Sequence, residues 1–157
     1  MLVLDSTVFI AALDRSRSSH LAARSIISSG KTLAVTTQTM RESLAVATRP
    51  ISANGLGLAF PLAWASITAM RMACSRLLHE NDKWWSAYSA LAQELQPTGR
   101  TLFDLGQVAF VHSLGPTATL LTDDDRLVAR YSTVIAATTI ATLSAASLNE
   151  NPLVAGH

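Results

Sequence analysis

Little of this sequence carries charge or reactive sulfur. Aspartate, glutamate, lysine and arginine make up 15% of the 157 residues, and 12 basic against 11 acidic side chains leave a net charge of +1. No strong overall field is available to draw in nucleic acid, so any contact with RNA must come from a local patch or from bound metal. The single cysteine, Cys74, excludes a disulfide framework within the chain and suits a reducing compartment such as the cytoplasm. No basic segment leads into an apolar core at the start, where Asp5 interrupts the apolar run of Met1 to Ile10, so a signal peptide is not read there. The longest uncharged stretch, Ile51 to Met70, reaches the ~20 residues that a bilayer requires. It also holds Ser52, Asn54, Gly55, Gly57, Pro61, Ser66 and Thr68, and reads as a buried helix with its lead-in loop rather than a membrane span.

What is present is apolar: 49% of the residues are hydrophobic, enough to build the core of one compact domain and too many for disorder over most of the length. Met1–Leu4 reads as a buried strand that ends at Asp5, and Val8–Leu13 as a short helix after it. Asp14–Ser19 is a turn, His20–Ser29 a helix stopped by Gly30, Leu33–Thr36 a strand, and Thr37–Thr48 a helix ending before Pro50. A helical region is expected from Leu58 to Leu78, another over Lys83–Leu95 capped by Asp82, and another over Leu102–Leu114. Trp84, Tyr88, Leu91 and Leu95 fall at helical spacing as a packing stripe. The adjacent Trp84 and Trp85 are read as core residues, with exposure of one for stacking as the alternative. Thr117–Thr122 and Thr133–Ala137 read as late strands. The order β-α-α-β-α-α-α-α-β-α-β predicts an α/β fold, a three-layer α/β/α domain with a mainly parallel sheet of about four to five strands. Residues 1–138 form the domain and 139–157 its C-terminal tail, with no internal repeat.

Ligands of such sheets bind beyond the carboxyl ends of the strands. Asp5 and Asp124 fall there directly, and Glu42 and Asp104 fall in the first turns of helices facing the same edge. Each acid also has a bland explanation. Thr39-x-x-Glu42 and Thr101-x-x-Asp104 match helix capping patterns. Asp5 can cap the helix after it, and Asp123-Asp124-Asp125 can be a turn and cap. Taken singly, capping leads for Glu42 and Asp104. The shared address at one edge, together with a carboxylate ending an apolar strand, argues instead for a site. Carboxylates crowded together need neutralising, and a divalent cation with oxygen ligands, Mg²⁺ or Mn²⁺, does so most simply.

The motifs Met1-Leu-Val-Leu-Asp5-Ser-Thr-Val-Phe-Ile10, Met40-Arg-Glu42, Phe103-Asp104-Leu-Gly-Gln-Val-Ala109 and Leu120-Leu-Thr122-Asp-Asp124-Asp-Arg-Leu127 together resemble the PIN domain family, and within it the VapC-type toxins of toxin–antitoxin pairs. The likeness in order and spacing runs to about Thr138. It implies a metal-dependent endoribonuclease with Asp5, Glu42, Asp104 and Asp124 as catalytic acids. Asp5, Asp104 and Asp124 would hold metal, and Glu42 would complete that shell or orient the attacking water. Ser6, Thr122, Asp123 and Asp125 would support them by hydrogen bonds, with Thr7 filling a further polar place after the first acid. The register among Asp123, Asp124 and Asp125 stays open. A VapB-like antitoxin, an RNA substrate and a second copy of the chain are the implied partners, and the apolar helices of Ile51–Leu78 are plausible walls for an antitoxin groove or a dimer contact. Arg100, Arg126 and Arg130 lie near the later acids and suit phosphates, or equally a solvated face. His20 and His112 have no partner at metal spacing and read as satisfied or surface residues.

The competing readings come from other classes. One is a PIN-like fold that binds RNA or protein without cutting. A haloacid-dehalogenase-type phosphatase would want an aspartate where Thr7 stands, and a receiver domain would want a lysine after a late strand, where the chain has only Lys31 and Lys83. A dinucleotide-binding domain would want a glycine-rich turn after the first strand, where Asp5-Ser-Thr stands.

Overall fold

The computed structural model describes residues 1–149. Five strands form one parallel sheet: β1 (Leu2–Leu4), β2 (Leu33–Thr36), β3 (Arg76–Leu78), β4 (Thr119–Thr122) and β5 (Ala137–Thr139), in the order β3-β2-β1-β4-β5. Helices α1 (Ser6–Leu13), α2 (His20–Ile27), α3 (Thr37–Thr48), α4 (Phe60–Ala73), α5 (Asp82–Leu95), α6 (Thr101–Leu114), α7 (Asp125–Tyr131) and α8 (Ile140–Asn149) connect and cover them.

Strand residues alternate between two cores, because successive side chains leave a strand on opposite faces. Leu4, Leu33, Val35 and Leu121 pack with Val8 and Phe9 of α1, Ile26 of α2, Ile67 of α4 and Ile140 of α8. Val3, Ala34 and Leu120 point the other way, toward Leu91 of α5, Leu105 and Val108 of α6, and Leu127 and Tyr131 of α7. Both faces being covered explains why the central strands read as unbroken apolar runs. The chain leaves β1 for β2 on one side and later places β4 on the other, so the strand order switches direction at β1, where a crevice opens beyond the carboxyl ends of β1 and β4.

Several expectations need correcting. The helical region expected to reach Leu78 stops at Ala73, and Arg76–Leu78 is the edge strand β3. An edge strand has one neighbour and half-exposed side chains, so its sequence lacks the apolar run that marks a central strand. The strand expected over Thr133–Ala137 is β5 at Ala137–Thr139, because Val134 and Ile135 are instead spent in a turn back to Tyr131. Asn81, not Asp82, caps α5: its side chain accepts the Trp84 amide. The helix read as buried, α4, buries only Ala63 and Ile67 among its residues and exposes Phe60, Leu62, Trp64 and Met72. Trp84 packs against the second core while Trp85 is 60% exposed, so the pair does not sit together in the interior. Leu95, expected in the same stripe, is also exposed. The segment after Thr138 continues as α8, which packs on α2 and β5, and residues 150–157 lie outside the described residues. Among the described residues no helix is long and apolar enough to cross a membrane.

Candidate active site

Asp5 ends β1 with extended backbone and occupies the N-cap position of α1, yet its side chain makes no cap bond. It is 5% exposed, and a buried carboxylate is tolerable only when its oxygens are satisfied. Oδ2 accepts from the Thr7 hydroxyl at 2.8 Å and from the Thr122 hydroxyl at 3.0 Å. Each threonine owns one hydroxyl proton, so with both given to Asp5 the two oxygens, 3.0 Å apart, have none left to share between themselves. Their lone pairs accept instead from the loop after β4: the Asp123 amide donates to Thr7 at 2.8 Å and the Asp124 amide to Thr122 at 3.1 Å. Two threonines thus join the β1 carboxylate to the backbone that carries Asp124.

Glu42 lies in the second turn of α3, one turn later than the sequence suggests. The capping box expected from Thr39 and Glu42 is absent. Thr36 caps α3 by accepting the Thr39 amide at 2.9 Å, and Glu42 is left free to turn to the cleft. Its oxygens accept from Ser6 Oγ at 3.0 Å and from Gln38 Nε2 at 2.7 Å. Burial pushes its pKa up, more strongly than the neighbouring charges of Asp5 and Asp104 do.

Asp104 stands in the first turn of α6, and its capping reading also fails. The helix begins after Arg100 with no side-chain cap, and the Thr101 hydroxyl bonds Thr98. Burial raises the Asp104 pKa, and the charge of Asp5 raises it further. Among the described residues its one ion pair is with Arg130 at 3.5 Å, between half-exposed side chains.

The three consecutive aspartates separate. Asp124 keeps its capping role, accepting the Arg126 amide at 2.9 Å, and lines the cleft. Asp123 turns to the loop between α1 and α2, where it meets Ser19 Oγ at 2.8 Å and Arg17 at 3.4 Å. Asp125 is exposed in the first turn of α7 and does not line the cleft.

Asp5, Glu42, Asp104 and Asp124 therefore line one cleft of about 560 Å³ at the carboxyl edge of the sheet, together with Ser6 and Thr7. Arg100 lies on its wall. Arg126 and Arg130 do not, although Arg130 reaches Asp104. His20 is buried with Nδ1 on the Ala11 carbonyl, and His112 is exposed, both away from the cleft. Among the described residues no three His, Cys, Asp or Glu side chains are already arranged to hold a metal ion. The donor chemistry nevertheless fits a hard divalent cation: four carboxylates share a cleft in which burial disfavours the charge of two of them.

Sequence reasoning missed Arg17 and Arg49 on the cleft wall, and Gln38 and Gln107 behind it. Gln107 is 1% exposed and donates to Thr36 and Thr39 at 3.1 and 2.9 Å, while Thr39 donates to the Leu4 carbonyl at 3.0 Å, tying α6 to α3 and β1. The available signal was a glutamine inside the apolar run Leu105–Val111, since a buried amide demands partners.

No family model and no curated protein matches the chain. Solved structures do. The chain is similar to VapBC2 from Rickettsia felis bound to a DNA fragment from their promoter, at 12% identity and a TM-score of 0.65, covering 88% of this chain and 97% of that one. It is similar to VapBC-1 from nontypeable Haemophilus influenzae at 16% identity and a TM-score of 0.63, covering 89% and 98%. A third is VapC20 from Mycobacterium tuberculosis, a sarcin-ricin loop cleaving toxin, at 14% identity and a TM-score of 0.60, covering 83% and 95%. Likeness at these identities establishes architecture, and the α/β/α domain expected from the sequence, with an all-parallel central sheet, is the fold this chain shares with those toxin–antitoxin structures.

Proposed function

We propose that the protein is a metal-dependent endoribonuclease, the toxin of a VapBC-type pair, working in the cytoplasm. The observation that carries this reading is the convergence of Asp5, Glu42, Asp104 and Asp124, from four distant segments, on one cleft. Asp5, Asp104 and Asp124 would hold Mg²⁺ or Mn²⁺, which when bound makes water more acidic and offsets charge on the phosphate under attack. Glu42, held by Ser6 and Gln38, is suited to orient the attacking water and accept its proton. Ser6, Thr7 and Thr122 keep the carboxylates in place. Arg17, Arg49 and Arg100 on the wall suit the neighbouring phosphates of an RNA strand, and Phe103, 66% exposed beside Asp104, suits an unpaired base. A VapB-like antitoxin and a second copy of the chain belong to the same reading. The apolar residues that α4 leaves in water offer surface for such contacts.

A second reading is a PIN-like module that binds RNA or protein without cutting. Single-turnover cleavage of total cellular RNA with Mg²⁺, Mn²⁺ or EDTA, beside Asp5→Asn and Asp104→Asn, separates the two. Metal-dependent cuts lost in both variants support the nuclease. Folded protein that cuts nothing, and takes up no metal by calorimetry, leaves the binding module.

A further inference from the structure

Gln38 sits one helical turn before Glu42 on α3, and its amide bridges two elements of the cleft. Nε2 has two protons and two acceptors, Glu42 Oε1 and the Phe103 carbonyl, both at 2.7 Å. Phe103 precedes Asp104, so one side chain joins the α3 carboxylate to the backbone that carries the α6 carboxylate. The amide oxygen lies against Gly106, and a Cβ there would run into it. Glycine inside a helix costs about 1 kcal/mol relative to alanine. The space it leaves in α6 is the space Gln38 fills. On the far side the Gly106 carbonyl accepts the Trp84 indole at 3.0 Å, so this turn of α6 is held from two directions.

We infer that Gln38 is a positioning residue that fixes Glu42 against the Asp104 turn of α6, and that Gly106 exists to admit it. Ser6 holds one Glu42 oxygen and Gln38 the other, so removing Gln38 frees the carboxylate to rotate. The kinetic consequence rests on the ribonuclease reading; the geometry does not.

The test pairs the two. In ¹⁵N-labelled protein both Gln38 side-chain amide protons should exchange slowly with water and show a nuclear Overhauser contact to Gly106 Hα. Gly106→Ala should move them to fast exchange. In RNA cleavage, Gln38→Ala and Gly106→Ala should each lower kcat about 10- to 100-fold with KM little changed. The double variant should be no slower than either single one, because both break the same clasp. Gln38→Glu, which loses the donors and adds a like charge, should not rescue. Fast exchange in the unmodified protein overturns the geometry. Wild-type rates in Gln38→Ala, or multiplying losses in the double variant, overturn the positioning role. If the unmodified protein cuts no RNA, the nuclease reading fails and the exchange measurement alone decides whether Gln38 is clasped.

Discussion

The two halves of the cleft are built differently. On the β1–β4 side Asp5 is buried and shares two threonine hydroxyls with the loop after β4. On the α6 side Asp104 is half-exposed and makes a long ion pair to Arg130, itself half in water. A buried carboxylate that holds two hydroxyls on one oxygen cannot move without stranding those donors, and unpaired buried groups are costly. A half-exposed ion pair has little hold, because solvent competes for both members. The contrast assigns geometry to the Asp5 side and adjustment to the Asp104 side: a cation bound in the cleft would meet one carboxylate already set and another that would have to leave an arginine.

The largest break should come from Asp5→Asn, with RNA cleavage falling about a hundredfold or more in a single-turnover assay. Unchanged rates would remove Asp5 from the chemistry. Thr122→Val is next. It takes one donor from Asp5 and the acceptor from the Asp124 amide, and should destabilise the fold by about 1–3 kcal/mol in urea unfolding, with a 10- to 100-fold loss of cleavage. A stable, active Thr122→Val protein would mean the rigid half is not rigid. Asp104→Asn sharpens the comparison through pH. The folded pKa of Asp104 lies above 3.8, so the stability tied to this group is complete at low pH and is lost as pH rises through the folded value. In EDTA the variant should therefore melt higher than the unmodified protein near neutral pH, and the difference should close in acid. A constant difference would show that charge on Asp104 is not what the fold resists. Smallest is Arg130→Gln, expected to shift stability by less than about 1 kcal/mol while tightening Mn²⁺ binding in calorimetry, since the competing cation is gone. Weaker Mn²⁺ binding would put Arg130 on the side of assembling the site.

Legibility in the sequence followed the same physics. β1, β2 and β4 announce themselves because both faces of a central strand are buried, and α3 and α6 because turn residues bracket them. β3 was hidden by its edge position, and the true start of β5 by Val134 and Ile135, which mimic a strand while folding back onto the second core. At the site, Asp5 was legible as a charge ending an apolar run. Glu42 was masked by a spacing that imitates a capping box, and only the Thr36 cap resolves it. Gln38, Arg17 and Arg49 could not be read at all: their roles depend on how α3 approaches α6 and how the α1–α2 loop approaches β4, distances no local pattern encodes.

The strand order has a consequence for synthesis. β4 docks beside β1, and more than a hundred residues separate the hydroxyl of Thr122 from the carboxylate it serves. Non-local parallel pairing of this kind is slow to form, since a long loop must close before any contact rewards it. A chain emerging from the ribosome exposes Asp5 early, yet cannot complete the bonds around it until β4 is made. The cleft these residues line is therefore incomplete while the chain is nascent, and it closes only when the last central strand arrives.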